Sequence, residues 1–290
     1  MNTLLAVGLG YSAKAVATRL KDSGWRVIGS ARGADGVRAV EATYEGVCFT
    51  GDAPSPELRQ AIRDATHLLV SAPPDSTGDP LLRHHAEDLG AAANLVWIGY
   101  LSTVGVYGDH QGAWVDETTP PAPVSQRSVW RRVAEQAWQA FVTAHGAPLQ
   151  IFRLAGIYGP GRNALERLLA GQERRIFKPD QVFNRIHVED IATVVEAGIR
   201  TGNHATGIFN VTDDEPAPPQ DVIAYAAELL GMEPPPLTPI DEADLSPMAR
   251  SFYAENKRAR NDRIKADLDI TLAFPTYREG LRALAADLRE

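Results

Sequence analysis

Short apolar runs of four to seven residues alternate with amphipathic helical patterns through the first half of the chain. That is the rhythm of a parallel sheet wrapped by crossover helices. The predicted strands are Leu4–Gly8, Arg26–Ser30, Val47–Thr50, His67–Ser71, Leu95–Thr103 and Leu149–Leu154. Between them, Ser55-Pro56-Glu57 and Asp79-Pro80 each set an N-cap side chain ahead of a proline, whose missing N–H costs nothing at the first helical position. Val129, Trp130, Val133, Ala134, Ala137, Trp138, Phe141 and Val142 recur at three- and four-residue spacing and predict a long helix that ends near His145-Gly146. After Leu154 the pattern is broken by turns at Gly156–Gly161 and Lys178-Pro179 and by the run Pro234–Pro236. The predicted architecture is an α/β doubly wound parallel-sheet Rossmann fold over residues 1–155, rejoined by about 185–201. A smaller C-terminal substrate lobe is expected from 156–184 and 202–290.

The chain has 290 residues, enough for a core that requires no disulfide or metal. With 29 Lys+Arg against 37 Asp+Glu its net charge is −8, which excludes nucleic acid as the expected partner. No apolar run approaches the ~18–20 residues that span a bilayer, so no membrane partner is expected. The apolar N-terminus has no Lys or Arg before it and is interrupted by Gly8 and Gly10, unlike a secretion signal. Cys48 is the single cysteine, and a cytoplasmic protein is expected. Neither His84-His85 nor His187-x-x-Asp190 brings a third ligand, so no metal is expected, and Asp190 is read as the cap of the next helix.

Gly8-Leu9-Gly10-Tyr11-Ser12-Ala13 closes the first strand and opens a helix in the GxGxxA form of the dinucleotide turn. Gly8 permits the tight turn, Gly10 admits pyrophosphate to the backbone, and Ala13 lets the helix pack closely. The N–H groups of Tyr11, Ser12 and Ala13 then face the phosphates. Ser71, Ala72 and Pro73, at the end of the fourth strand, are expected to border the same cofactor. The second strand lacks the terminal Asp or Glu that would hold the ribose hydroxyls of NAD, and presents Ser30, Ala31 and Arg32 instead. A hydroxyl and a guanidinium suit the 2′-phosphate of NADP, which is therefore expected over NAD. The competing reading makes Arg32 a solvated loop residue. Asp52 is assigned either to the adenine edge or to capping its own loop.

Tyr100-Leu101-Ser102-Thr103-Val104-Gly105-Val106-Tyr107-Gly108, Arg153-Leu154-Ala155-Gly156-Ile157-Tyr158-Gly159-Pro160-Gly161 and Asn184–Asp190 stand in order behind the glycine turn. Together they resemble the extended short-chain dehydrogenases/reductases, the NAD-dependent epimerase/dehydratase group, over nearly the whole chain. The resemblance implies a catalytic Ser or Thr, placed on Thr103 with Ser102 beside it, then a Tyr-x-x-x-Lys pair on the following helix. Aligned by Glu135, those two positions fall on Arg127 and Arg131. A guanidinium cannot act as a general base. Arg127 and Arg131 share one helix face and are expected either to hold an anion beside the nicotinamide or to be surface residues. Tyr107 and Tyr158 are the replacement acid/base candidates, each weighed against a packing role. Tyr158, Arg185 and His187 are expected to contact substrate.

The implied function is an NADP-linked oxidoreductase or epimerase/dehydratase acting on a nucleotide sugar or another small anionic metabolite. The alternative is a non-catalytic NADP(H)-binding redox sensor. A homodimer is expected through the apolar face of Trp130, Ala134, Trp138 and Phe141.

Overall fold

Strands and helices alternate as the apolar pattern predicts. In the computed structural model, which describes residues 1–289, the first half runs β1 (Thr3–Val7), α1 (Tyr11–Asp22), β2 (Arg26–Ala31), α2 (Ala34–Glu41), β3 (Glu45–Cys48), α3 (Pro56–Asp64), β4 (His67–Val70), α4 (Pro80–Gly90), β5 (Trp97–Thr103), β6 (Trp114–Val115) and α5 (Gln126–His145). The second half begins with β7 (Leu149–Leu154), β8 (Gly156–Tyr158), α6 (Ala164–Leu169), β9 (Arg175–Phe177), β10 (Arg185–His187) and α7 (Val188–Thr201). It ends with β11 (Gly207–Val211), α8 (Pro219–Leu230), β12 (Leu237–Pro239), α9 (Pro247–Phe252), β13 (Arg258–Ala259), α10 (Asp262–Leu268) and α11 (Tyr277–Asp287).

Seven strands form one all-parallel sheet in the order β11-β7-β5-β4-β1-β2-β3. This is the Rossmann-type fold. Strand order reverses between β1 and β4, which opens a crevice above their C-terminal ends, where α/β sheets bind ligands. Along β1 the side chains alternate between two helical layers. Leu4 and Ala6 pack with Ala13 and Val16 of α1 and Ile191 of α7, whereas Leu5 and Val7 pack with Leu58 of α3, Leu81 of α4 and Trp138 of α5. A strand covered on both faces reads as an unbroken apolar run, which is why β1 was visible in sequence.

The predicted caps form as expected. Ser55 Oγ accepts from Leu58 N at 3.2 Å, and Asp79 Oδ1 accepts from Leu81 N and Leu82 N at 3.0 and 3.1 Å. Asp79 Oδ2 also accepts from Trp138 Nε1 at 3.1 Å, tying the start of α4 to α5.

Three expectations require correction. The third strand lies two residues earlier than predicted, because pairing of Ala31 with Cys48 ends its register with β2. Residues 207–211, expected in the smaller lobe, pair with β7 as β11, and Ile264 and Leu268 of α10 join the same core. The apolar face of α5 is consumed within the chain: Ala134 and Trp138 are fully buried and Phe141 nearly so, leaving no broad stripe there for a second copy. The smaller lobe has its own core, where α6, α8 and α11 meet through Leu165, Ile223, Ala226 and Leu281. Among the described residues, no helix is long and apolar enough to cross a membrane.

Sheet and α5 are joined by a buried ionic cluster. Glu135 of α5, 0% exposed, receives Ser102 Oγ of β5 at 2.5 Å, and Nε and Nη2 of Arg153 of β7 at 3.0 and 2.8 Å. Glu135 also receives Arg132 Nη1 at 3.1 Å, so Glu135→Leu, which strands Arg153, should cost roughly 3–5 kcal/mol in urea unfolding and Arg153→Met less. The double variant should lose clearly less than the sum of the two. Additive losses would show that the pair does not act as a unit.

Candidate functional site

The chain passes from β1 into α1 through Gly8, whose φ of +85° favours glycine. A Cβ there would stand 2.7 Å from Ala72 N, so Gly8 also permits the end of β4 to close on the turn. Gly8 N donates to Ser30 Oγ at 2.8 Å. Ser30, expected at a 2′-phosphate, is 3% exposed and commits its hydroxyl to the turn instead. Around Gly10 a Cβ would meet open space, and α1 starts without a side-chain cap. The N–H groups of its first turn are thus left to a ligand, and the residues present fit a dinucleotide pyrophosphate.

Ser12 and Ala13 are buried against the sheet, so they contribute to this cradle through backbone alone. The Tyr11 hydroxyl donates to Pro160 O at 2.8 Å, so its side chain bridges to the loop after β8. Beyond β2, Arg32 is exposed and makes no hydrogen bond or ion pair with the described residues; the next residue, Gly33, starts α2 without a side-chain cap. Asp52 is exposed, and its N–H donates to Thr50 Oγ1 at 3.3 Å. Ser71 and Ala72 are half-buried and Pro73 is exposed at the end of β4.

A cleft of about 1140 Å³ extends from the end of β5 into the smaller lobe. Thr103 lies in its wall, with Oγ1 accepting from Gly105 N at 3.1 Å and its own proton left to donate. Arg131 lines the same wall and donates through Nη1 to Leu101 O and Tyr100 OH at 3.0 and 3.1 Å. One turn earlier, the Arg127 guanidinium stands 5.5 Å from the Phe252 ring centroid. From the smaller lobe come Tyr158, Arg162 and Arg185. Seven cationic side chains and three carboxylates line the cleft of a chain whose net charge is −8. Among the described residues, Arg127, Arg131 and Arg162 have no carboxylate within ion-pairing distance. These are donors available to an anion.

The structure removes several expected participants. Ser102 is buried and bonded to Glu135, away from the cleft lining. Tyr107 is fully buried, donates to Asn210 Oδ1 at 2.8 Å and carries the Arg153 guanidinium 4.7 Å from its ring centroid. Burial pushes its phenol pKa upward, so it is no proton shuttle near neutral pH. Tyr158 does line the cleft, but burial raises its pKa as well. His187 lies outside the lining; its Nδ1 accepts from Glu189 N at 3.2 Å and caps α7. Asp190, expected to be that cap, receives Ala273 N and Phe274 N at 2.7 and 3.0 Å and fastens the chain ahead of α11.

Sequence reading missed Lys257, whose Nζ donates to Gly108 O at 2.8 Å and to Glu255 at 2.7 Å in the cleft wall. It also missed Arg162, one residue past the Gly159-Pro160-Gly161 turn that it did single out. Position directly after that turn was the available signal for Arg162. Nothing local ties Lys257 to Gly108. Among the described residues, no group of three or more His, Cys, Asp or Glu gathers to hold a metal.

The sequence profile of the NAD dependent epimerase/dehydratase family matches residues 7–212. The chain belongs to this family. Protein YeeZ of Escherichia coli K12 is 32% identical over 252 residues, 81% of this chain and 86% of that one. A functionally unknown conserved protein from Silicibacter pomeroyi DSS has been solved; it is 52% identical, covers 100% of both chains and superposes with a TM-score of 0.90. The UDP-glucuronic acid 4-epimerase of Bacillus cereus, solved with UDP-glucuronic acid and NAD, covers 99% of each chain at 18% identity and a TM-score of 0.78. At that identity the likeness is one of fold. Within the family frame, the glycine turn and the uncapped start of α1 are the parts of this chain that fit NAD.

Two buried imidazoles make the fold acid-sensitive. Burial pushes His67 and His187 down to about 4, and His187 Nε2 faces no acceptor, only the rings of Tyr158 and Phe274. The unfolded chain takes up these protons near ~6.5 and the folded chain only near 4, so stability is complete above ~6.5 and falls as the pH drops toward 4. Each histidine contributes at most about 3 kcal/mol of that loss. His187→Asn keeps a capping acceptor, and urea unfolding from pH 7 to pH 4 should show a shallower loss than wild type. An unchanged slope would assign the acid sensitivity elsewhere.

Proposed function

We propose that this protein is an NADP(H)-linked oxidoreductase of the epimerase/dehydratase type whose substrate is a small anionic metabolite, a class that includes nucleotide sugars. The observation that carries the reading is the set of cleft arginines without a carboxylate partner among the described residues, Arg127, Arg131, Arg162, Arg174 and Arg185. Bound NADP(H) would supply hydride chemistry. Gly8, Gly10 and the first turn of α1 would hold its pyrophosphate. The free guanidinium of Arg32 beside the uncapped start of α2 would take the 2′-phosphate. No ribose-binding carboxylate ends β2, which supports NADP over NAD.

Arg127 and Arg131 stand where the family pattern has Tyr and Lys. A guanidinium contributes a fixed positive charge. Such charge stabilises negative charge that builds on a substrate oxygen, and the Thr103 hydroxyl adds a donor. A proton required at that oxygen comes from water entering the cleft.

The second reading is a non-catalytic NADP(H) sensor. It is favoured by one observation: the cleft phenol Tyr158 is raised in pKa by burial, and neither arginine can pass a proton. In that case NADPH binds but is never oxidised by any anionic metabolite.

Calorimetry should give tighter binding of NADPH than of NADH, with Arg32→Ala reducing the preference by about tenfold or more, as for loss of a charge-assisted contact. Equal wild-type affinities for the two would overturn the NADP assignment. Arg127→Met or Arg131→Met should weaken stabilisation by anionic metabolites in a thermal-shift screen while leaving NADPH affinity nearly unchanged. Weakened NADPH binding in Arg131→Met alone would place that arginine at the cofactor ribose.

A further inference from the structure

The wall that the smaller lobe gives the cleft sets an apolar stretch among its charged side chains. Ile176 of β9, Val222 and Ile223 of α8 and Leu281 of α11 line it, beside Phe183 and Tyr253, whose ring centroids lie 5.2 Å apart at 67°. Arg185 is set among these groups, with Tyr158, Tyr253 and Tyr277 close enough to act on its charge. Most other ionic groups that this lobe brings to the cleft are already matched. Arg167 pairs with Glu173 at 2.9 Å, Lys257 with Glu255 at 2.7 Å, and Arg174 donates to Asp244 O at 2.6 Å.

Arg185 differs from them. Its Nη1 donates to the carbonyls of Phe183 and Ala217 at 3.0 and 3.1 Å, which fixes the plane of the guanidinium. Nε and Nη2 have no protein hydrogen-bond partner, and the half-buried residue lines the cleft. Behind it lies Asp213, 1% exposed, with Oδ2 unpartnered and no ion-pair contact to the guanidinium. Burial pushes the Asp213 carboxyl well above the usual carboxylate range, and it does not occupy the fork. Nε and Nη2 of an arginine match the two oxygens of one carboxylate.

A nucleoside diphosphate presents two phosphates, a ribose and a polar base edge. Around Arg185 this wall offers hydrocarbon and aromatic surface for an organic body and one fork for one carboxylate, whereas Arg162 lies 5.9 Å from the Tyr11 ring centroid, at the glycine turn. We infer that the cleft takes an apolar carboxylic acid, its carboxylate on Nε and Nη2 of Arg185 and its aryl or branched-alkyl body against Ile176, Val222, Ile223 and Leu281. The inference rests on the anionic-substrate reading above and narrows it.

The test uses the full chain, first titrated with NADPH by nucleotide fluorescence, then, saturated with NADPH, titrated calorimetrically with cinnamate, cinnamyl alcohol and UDP-glucuronic acid. Cinnamate should bind, the alcohol at least about tenfold more weakly for lack of the charge-assisted contact, and UDP-glucuronic acid more weakly than cinnamate. Arg185→Met should lower cinnamate affinity by about tenfold or more with NADPH affinity unchanged. If loss of Arg185 beside the buried Asp213 carboxyl unfolds that variant, Arg185→Met with Asp213→Asn removes the ionisable group and carries the same expectation. Arg185→Lys keeps the charge, loses the fork and should give an intermediate affinity. Tighter binding of UDP-glucuronic acid than of cinnamate, no cinnamate binding, or cinnamate binding indifferent to Arg185 would overturn the inference. Failure of wild type to bind NADPH would instead overturn the cofactor reading, and the same cinnamate titration without nucleotide would still decide the role of Arg185.

Discussion

Glu135 sets the rotation of α5. Its carboxylate is held on one side by Arg153 of β7 and on another by Ser102 of β5, all within the interior, so the helix cannot turn about its axis without breaking a buried charge pair. Residues four apart share a helix face, and positions 127, 131 and 135 therefore rise along one line. Once Glu135 is fixed at the sheet, Arg131 meets Leu101 and Tyr100 near the end of β5. Arg127 is carried out to the cleft mouth beside Phe252. The placement of both cleft arginines on α5 is a consequence of one contact deeper in the core.

That same contact explains why the sequence was read correctly in part and misread in part. The apolar runs of β1, β4 and β7 are buried on both faces, so hydrophobicity alone located them. Ser102 and Thr103 are neighbours in a strand, and side chains on a strand alternate in direction. One hydroxyl therefore enters the Glu135 cluster and the other the cleft, a division that a dipeptide cannot reveal. Ser30 was misplaced for the same reason: its direction is set by the Gly8 N–H across the sheet, 22 residues away. β11 escaped notice because only five residues long, Gly207–Val211, it is recognisable as a strand chiefly through its pairing with β7.

Motif position also proved different from motif role. His187 stands in a segment that resembles the family pattern, yet it caps α7 and lies among aromatic rings. Arg185, two residues earlier on the same short strand, reaches the cleft. Side chains two apart on a strand normally share a face, but these two are held differently, Arg185 by the carbonyls of Phe183 and Ala217 and His187 by the Glu189 N–H.

On the proposed reading two guanidiniums take the family places of a phenol and an amine, which changes what the cleft can do. A phenol gives up its proton and takes it back, so the usual pair serves reactions in which a substrate hydroxyl must be deprotonated. Fixed cations favour the opposite sense, in which negative charge grows on the substrate and is held until water supplies a proton. In a chain of net charge −8, they set cationic groups together in one concave place, which on the proposed reading favours a small anion. On the proposed reading the arginines bias the site toward reduction of an anionic molecule, and the wall around Arg185 would then select among anions by the body they carry.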